Sequence, residues 1–320
     1  MTIRIAVHAG DLDATTGPAK TSAASLRIVL ASHAAWLDGK PDGEQADLTG
    51  VTLSEVRLRN ARLHKAVLRA ATLIEAHLDG IDLSEAVLDG ADLRQANLTG
   101  ADLSGADLTQ TIMDVCLLSE ATLCEAKLQG ASLRLANMRE ARLLEASVSN
   151  SDFTAAVLRG AILNHANLMN STFTDADLRG AAFYRTRAYL CQFRSVTGQN
   201  ADFSGARLQS CNFTAAQLTS ARFRDAQMVQ CVFNRAQLAG ADLRDAKLDG
   251  SEFAHAALHG AQMAGASLFA ADLRAADLTG ARGLRATQLM QARTDESTIL
   301  PNKRRGPYIR GSGAERPAMD

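Results

Sequence analysis

The sequence is poor in the features by which membrane-spanning and nucleic-acid-binding proteins are usually recognised. No apolar run approaches the roughly 18 residues that a membrane span needs, and the N-terminus lacks the sustained apolar stretch of a signal peptide. Lysine and arginine together number 34 and aspartate and glutamate 35, which predicts no bulk attraction to nucleic acid. Together these absences predict a cytoplasmic protein with no membrane span and no direct nucleic acid binding.

What the chain does have is a five-residue repeat that runs from Ala46 to Gly280 without insertion or deletion. Residues 46–50 read Ala-Asp-Leu-Thr-Gly, and residues 276–280 read the same. Each unit has a small residue and, two positions later, a centre that is Leu, Phe, Met or Val everywhere except at Ala188 and Gly198. Two inward residues separated by one outward residue describe a short extended segment followed by a corner. Such segments stacked coil on coil form a β-solenoid.

A second period, of twenty residues, sets the number of corners in each coil. Phenylalanine recurs at this spacing among the centres, which predicts a ladder of buried rings formed by Phe153, Phe173, Phe193, Phe213, Phe233 and Phe253. Twenty residues are four units, so the cross-section is predicted to be square. Glycine and asparagine are frequent at corners whose numbers end in 0, such as Gly50, while acids are frequent where they end in 5, such as Glu55. This difference predicts type II corners alternating with type I or related corners.

The repeat resembles the pentapeptide repeat family, whose consensus is Ala-(Asp/Asn)-Leu-X-X. The resemblance implies an all-β fold, a right-handed quadrilateral β-helix of about 12 coils. It also implies short helical caps at both ends, since similar His-X-X-Trp-Leu helices precede the repeats of many bacterial members. His33 and Trp36 carry that pattern here.

The chain is therefore divided into five segments. Residues 1–20 are predicted to be disordered, 21–45 to form the N-terminal cap helix and linker, and 46–280 to form the solenoid. Residues 281–301 are predicted to form a C-terminal cap of helix and strand, and 302–320 a disordered tail. The C-terminal segment is either a simple cap or, as the resemblance also implies, a homodimer contact through Leu284, Leu289 and Met290.

The sequence offers no catalytic or metal-binding pattern, so no enzyme activity and no cofactor are expected. A phosphate-binding loop, a Gly-x-Ser-x-Gly elbow and a Cys-x-x-Cys pair are all missing. Cys191, Cys211 and Cys231 form a column at the small inward position, which predicts core packing rather than a metal site.

Three groups of outward residues depart from the repeat and are candidates for binding. The first is an acidic run between residues 71 and 125, whose candidate patch comprises Glu75, Asp79, Asp82, Glu85, Asp89, Asp92, Asp102 and Asp107. The second is a basic column with the twenty-residue spacing, which either is solvated or meets an anionic partner: Arg139, Arg159 and Arg179. The third is a cluster in which the tyrosines either fold into the space left by Ala188 and Gly198 or face a partner: Tyr184, Arg185, Arg187, Tyr189, Arg194 and Arg207.

Two functions fit these patterns. The first is a non-catalytic scaffold or adaptor that presents a rigid β-helical surface to another protein. The second, implied by the resemblance, is a DNA mimic that binds DNA gyrase and protects topoisomerase from quinolones. The acidic run covers fewer than three coils, and the repeat lacks the projecting loops of some gyrase-protecting members. The scaffold is therefore the leading interpretation.

Overall fold

The structure is a computed structural model that describes residues 23–318, and it forms two compact units divided between Val157 and Leu158. The predicted disorder of residues 1–20 lies outside the described residues. In each unit the chain pairs in parallel with itself twenty residues later, from Asp47↔Val67 in the first unit to Gln262↔Arg282 in the second. With a corner every five residues, each coil has four sides. Each unit is therefore a parallel β-helix.

The first unit begins with helix α1 (Ala23–Leu37) and contains one three-residue strand, β1 (Ser147–Ser149). Leu26, Leu30 and His33 are buried, so one side of α1 packs against the rest of the first unit. The Nδ1 atom of His33 accepts a hydrogen bond from the backbone N–H of Ala46, the first residue of the repeat, at 3.0 Å. The ring of Trp36 stacks on that of His33. These contacts fix the end of α1 beside the start of the solenoid.

The second unit contains the strands β2 (Asn167–Met169), β3 (Arg187–Tyr189) and β4 (Arg207–Gln209) and the short helix α2 (Ala286–Gln291). β2 pairs with β3, and β3 with β4, in parallel register. After α2 the chain returns to the last coil, where Arg293 pairs with Asp272 and Ile299 with Asp277. The predicted C-terminal segment therefore continues the ladder beyond the pentapeptide repeats.

The interior is filled by the small residue and the centre of each unit. In the second unit the phenylalanine rings stack in two ladders. Phe173 and Phe193 have ring centroids 4.9 Å apart and nearly parallel planes, and the same geometry continues to Phe253. A second ladder runs through Phe183, Phe203 and Phe223, and it meets the first edge to face. The stacked and T-shaped contacts are the geometries that aromatic quadrupoles favour.

The corners differ from the predicted alternation of turn types. Every fifth residue from Gly50 to Gly280 has a positive φ, including Glu55 at 59° and Gly50 at 66°. At most corners of both classes the following N–H donates to the carbonyl of the preceding centre, as Val51 does to Leu48 and Val56 to Leu53, but Cys191 and Cys211, after β3 and β4, do not make this bond. The same turn is thus repeated at both kinds of corner. Glycine lowers the cost of this conformation, but the repeated ladder and core impose it on other residues too.

The tail also differs from its prediction. Residues 302–318, for which the sequence predicts disorder, lie in turns that bond back to the C-terminal segment. The N–H of Gly306 donates to the carbonyl of Thr298, the N–H of Tyr308 donates to Oγ1 of Thr294, and Ala314 is buried. These contacts form because the chain folds back on itself after the repeat ends. The periodicity of the sequence carries no information on that segment.

Candidate functional site

The aspartate at the second position of the repeat is an element of the corner. In Asp102 the Oδ1 atom accepts hydrogen bonds from the backbone N–H of Ser104 at 2.9 Å and from its hydroxyl at 2.6 Å. Asparagine does the same where it replaces aspartate, as Asn97 does for Thr99. This side-chain bond satisfies a backbone donor at the turn. The same bond from residue i+2 is made to Asp47, Asp82, Asp92, Asp107, Asp152, Asp177, Asp202, Asp242, Asp272 and Asp277. The sequence signal was present: an Asp or Asn two residues before Ser, Thr or Arg.

Half of the candidate acidic patch of the first unit is paired with basic residues of its own chain. Basic residues one coil earlier pair with three of its acids, in the ion pairs Arg59–Asp79, Lys65–Glu85 and Arg69–Asp89. A fourth acid, Asp92, is bound by Arg94 two residues later. Of the other members, Asp82, Asp102 and Asp107 hold corners through the bonds described above, and Glu75 lies exposed at a corner. The patch is thus less negative than its composition indicates.

The three arginines of the basic column have different environments. Arg179 makes two hydrogen bonds to the carboxylate of Asp177, at 2.8 and 2.5 Å. This bond to Arg179 lowers the pKa of Asp177, and the same pair raises the pKa of Arg179. Arg159, in the same unit, and Arg139, in the first unit, are exposed. The column therefore is not a uniform row of available cations.

The third candidate group lies around strand β3. Tyr184 and Tyr189 are exposed by 38% and 43%, so neither tyrosine folds into the space left by the small centre Ala188. The guanidinium of Arg185 lies 5.0 Å from the ring centroid of Tyr184, and His165 contacts the same ring edge to face. Arg187 and Arg207 are neighbours in register on β3 and β4. We define the arginine–tyrosine surface as Tyr184, Arg185, Arg187, Tyr189 and Arg207.

Arg194, the remaining member of this candidate group, is not part of the surface. It lies at the corner that follows the next side of the coil, whereas Tyr189 lies at the end of β3. The sequence places it only five residues from Tyr189, but five residues here include one corner. Proximity along a square coil thus does not place two side chains on one side.

A shallow recess of about 190 Å³ opens on the outer side of β2, β3 and β4. Its lining consists of Asn167, Met169, Arg187, Ala188, Tyr189, Arg207 and Gln209. Arg187 and Arg207 stand on one side, and Met169 and Tyr189 on the other. The exposed side chain of Leu190 follows directly. The recess therefore has a cationic side and an apolar side.

The arginines of this surface differ from others in the second unit. Arg179, Arg222, Arg244 and Arg274 each contact an aspartate, at Asp177, Asp202, Asp242 and Asp272 respectively. Among the described residues, no carboxylate forms an ion pair with Arg185, Arg187 or Arg207. These three cations are therefore available to an anion outside the chain.

The candidate dimer contact requires a correction for two of its three residues. Leu284 and Leu289 are buried within their own chain and are not presented to a second copy. Gln288, on the same short helix, donates hydrogen bonds to the carbonyls of Met263 and Ala266, which draws α2 onto the coil. Met290 is 51% exposed, and Phe269 is a second exposed apolar residue of this unit. The burial follows from the docking of α2, which the sequence pattern left open.

Chemistry at the remaining polar groups is limited by their surroundings. Burial raises the pKa of Cys116 to about 12, and the adjacent Cys211 thiol together with burial raises that of Cys191, so these thiols are held neutral. Ser84 and His64 approach to 2.8 Å, with Glu85 3.9 Å from the other ring nitrogen. However, the Ser84 hydroxyl bonds to Asp82, and Lys65 contacts Glu85. No group of three or more potential metal ligands occurs in residues 23–318, and none of the helices described is long and apolar enough to cross a membrane.

Comparisons with solved structures give relatives of the same repeat type. HetL, a pentapeptide repeat protein involved in heterocyst differentiation regulation from the cyanobacterium Nostoc sp. strain PCC 7120, is 30% identical over 76% of this chain and 93% of its own, with a TM-score of 0.30. Full-length QnrB1, a plasmid-mediated fluoroquinolone resistance protein, is 18% identical over 79% of this chain and 93% of its own, with a TM-score of 0.21. Rfr23 from the cyanobacterium Cyanothece 51142 is 28% identical over 30% of this chain and 62% of its own, with a TM-score of 0.16.

Family profiles match most of the repeat. The profile described as "Pentapeptide repeats (8 copies)" matches residues 46–84, 76–114, 116–154 and 236–274, and that described as "Pentapeptide repeat region" matches 166–243. Neither profile describes a catalytic domain. A search of the curated proteins gives no match. The matched segments, the identity to HetL and the parallel register together show that this chain belongs to the pentapeptide repeat family.

Proposed function

We propose that the protein is a non-catalytic interaction scaffold and that it contacts a protein partner through the arginine–tyrosine surface. The observation that carries this proposal is the set of three arginines without a carboxylate beside exposed tyrosines. Tyrosine and arginine, together with tryptophan, are enriched at the energetic centres of protein interfaces. A ladder-paired β-helix can hold such side chains at fixed spacing, because their backbones are bonded to the coils on either side.

The alternative, a DNA mimic that binds gyrase, depends on the candidate acidic patch. A DNA mimic must present uncompensated negative charge to its partner. Here Asp79, Glu85 and Asp89 are paired with basic residues of the preceding coil. Local neutralisation therefore favours the scaffold. Gyrase supercoiling with purified protein, with and without a quinolone and at two salt concentrations, tests the alternative directly.

The scaffold proposal is tested by affinity capture from the cells in which the protein is made. The baits are the wild-type chain, Tyr184→Ser with Tyr189→Ser, and a control with Asp102→Asn and Asp107→Asn. The control keeps the corner hydrogen bonds, because asparagine already makes them in this chain. We expect the tyrosine variant to lose partners that the wild type and the control retain. Equal capture by all three baits, or loss with the control alone, would overturn the proposal.

A further inference from the structure

Among residues 23–318, three pairs of like-charged residues stand in register along the ladders, and in only one of them do both side chains lack a hydrogen bond or ion pair. Asp82 faces Asp102, but each accepts hydrogen bonds from the serine two residues later. Glu252 faces Asp272, but Asp272 is bound by Arg274. Arg187 faces Arg207, and in the described part of the chain neither meets a carboxylate. Neighbouring coils are about 5 Å apart, so the side chains of Arg187 and Arg207 start from adjacent positions, and their like charges repel each other.

Arg185, two residues before Arg187 in the chain, is a third cation of this surface. Its aliphatic stem lies over Gly205, where an added Cβ would approach its Cγ to 3.4 Å and the Tyr184 ring to 4.0 Å. Arg185 and Tyr184 therefore lie beside the backbone of the next coil at position 205. The guanidinium of Arg185 contacts the ring of Tyr184, and the residue is exposed.

The size and lining of the recess indicate what kind of ligand it fits. Pockets for drug-sized molecules typically hold about 300–1,000 Å³, and this recess holds about 190 Å³. It is therefore suited to one inserted side chain. Met169, Ala188 and Tyr189 offer that side chain apolar contact, while Arg187 and Arg207 stand at the opposite side.

We infer that the arginine–tyrosine surface recognises an acidic segment of a protein partner, in which carboxylates flank a large apolar side chain. The carboxylates would bind Arg187 and Arg207, whose planar guanidinium groups can each donate two parallel hydrogen bonds. The apolar side chain would occupy the recess against Met169 and Tyr189. This inference rests on the proposed function and adds the chemistry of the partner.

A nucleic acid strand fits the same surface less well. It requires a track of cations that follows successive phosphates. The ladder neighbours of the arginine pair are neutral, with Asn167 before Arg187 and Gln227 after Arg207. The positive charge is therefore a local cluster, and a short acidic segment is the better match.

The test is fluorescence anisotropy of labelled probes with the full-length protein at low and moderate salt. The first probe is a twelve-residue Gly/Ser peptide with the central sequence Glu-Glu-Phe-Glu-Glu. In two matched peptides either the glutamates are replaced by glutamine or the phenylalanine by serine. A dodecamer of deoxythymidine is the fourth probe. We expect the acidic phenylalanine peptide to bind most tightly, and its binding to weaken with salt.

The protein variants locate that binding. Arg187→Gln with Arg207→Gln should weaken the acidic phenylalanine peptide by about tenfold or more. The control, Arg159→Gln with Arg235→Gln, removes two exposed arginines of the same unit and should change the affinity by less than about twofold. A charge reversal, Arg187→Glu with Arg207→Glu, should bind a matched lysine peptide instead. Thermal melting of each variant reports whether it is folded.

Several results would overturn the inference. They are no binding of the acidic peptide by the wild type, equal weakening by the control variant, or tighter binding of the deoxythymidine probe. If partner capture depends on Tyr184 and Tyr189 but the acidic peptide does not bind, the scaffold function stands and the acidic chemistry is wrong. If capture is independent of these tyrosines, the proposed function itself is wrong, whatever the peptide does.

Discussion

The acidic patch of the first unit and the basic cluster of the second unit differ in how their charges are paired. In the first unit, basic residues of one coil neutralise acids of the next, as Arg59 does for Asp79. In the second unit, several arginines pair with aspartates two residues earlier, as Arg244 does with Asp242, whereas Arg187 and Arg207 are left without such a partner. The acidic run is the more conspicuous feature of the sequence. Yet half of its candidate patch is ion-paired within the chain, whereas no arginine of the smaller basic cluster is, among the described residues.

This difference teaches that a repeat protein's composition and its available charge are separate quantities. A residue at the second position of the repeat is bonded at the corner, and a residue twenty positions away is its lateral neighbour. Charge must therefore be counted coil by coil. The same units also differ in their cores, since most first-unit centres are leucine and many second-unit centres are phenylalanine.

The largest expected effect concerns the aromatic core. Phe213→Ala removes a ring that stacks on Phe193 and Phe233, and it should lower the free energy of unfolding of the second unit by about 3–5 kcal/mol. Phe213→Leu gives this position the side chain that is common in the first unit, and it should cost less. Urea unfolding followed by circular dichroism measures both. An unchanged transition for Phe213→Ala would show that the ring is not held in the ladder.

The next effect separates charge from corner bonding in the first unit. Asp82→Ala leaves the N–H of Ser84 without its side-chain acceptor and should destabilise the unit by about 0.5–1.5 kcal/mol. Asp82→Asn keeps an acceptor and should be close to neutral. Equal destabilisation by both substitutions, again measured in urea, would mean that the negative charge matters more than the hydrogen bond.

A more local effect is the pH dependence of stability, which should differ between the two ends of the described chain. Burial lowers the pKa of His33 below its usual 6.5, so the contact of α1 with Ala46 is fully stable above that pH and weakens as the pH falls below it. Hydrogen bonds from Ser297 and its neighbours lower the pKa of Asp295 from 3.8 to about 2. Stability from Asp295 is therefore present above pH 3.8 and is lost as the pH falls toward 2.

Hydrogen exchange at a series of pH values measures these two losses. We expect α1 to lose protection at a higher pH than residues 293–306. Replacement of His33 by glutamine should remove the dependence near α1, and Asp295→Asn should weaken the protection of the C-terminal segment at neutral pH. Loss of protection at the same pH at both ends would indicate a single global unfolding transition. It would contradict the assignment of the two losses to His33 and Asp295.

The smallest effect on stability concerns the ion pairs of the first unit. Arg59→Gln with Arg69→Gln frees Asp79 and Asp89, but exposed pairs contribute only about 0–1 kcal/mol each. The clearer readout is charge: this variant should require more salt for elution from an anion exchanger than Arg139→Gln with Arg159→Gln, which has the same net charge. Identical elution would mean that the local pairing does not mask the acids.

The period of the sequence predicted the inward positions, because burial dictates residue size and every unit has the same length. The twenty-residue period also places Arg59 beside Asp79, and the structure shows that these two residues form an ion pair. The prediction of two turn types failed at corners such as Glu55. The frequency of glycine reports how costly a positive φ is for other residues, and not whether the corner adopts a positive φ. The period could not place Leu289 or residues 302–318, since their contacts form only after the chain folds back on the last coil. The outward orientation of Tyr184 and Tyr189 depended on packing around Ala188 that the repeat leaves undetermined.

Hydroxyl-radical footprinting of the protein, alone and with its captured partner, tests most directly which surface binds. Tyrosine, methionine and leucine side chains report their own exposure, and both units carry exposed examples. We predict protection of Met169, Tyr184 and Tyr189 in the complex, with Leu117 and Leu135 of the first unit oxidised as in the free protein. Protection of Leu117 and Leu135 with continued oxidation of the two tyrosines would contradict the assignment of the partner contact to the arginine–tyrosine surface.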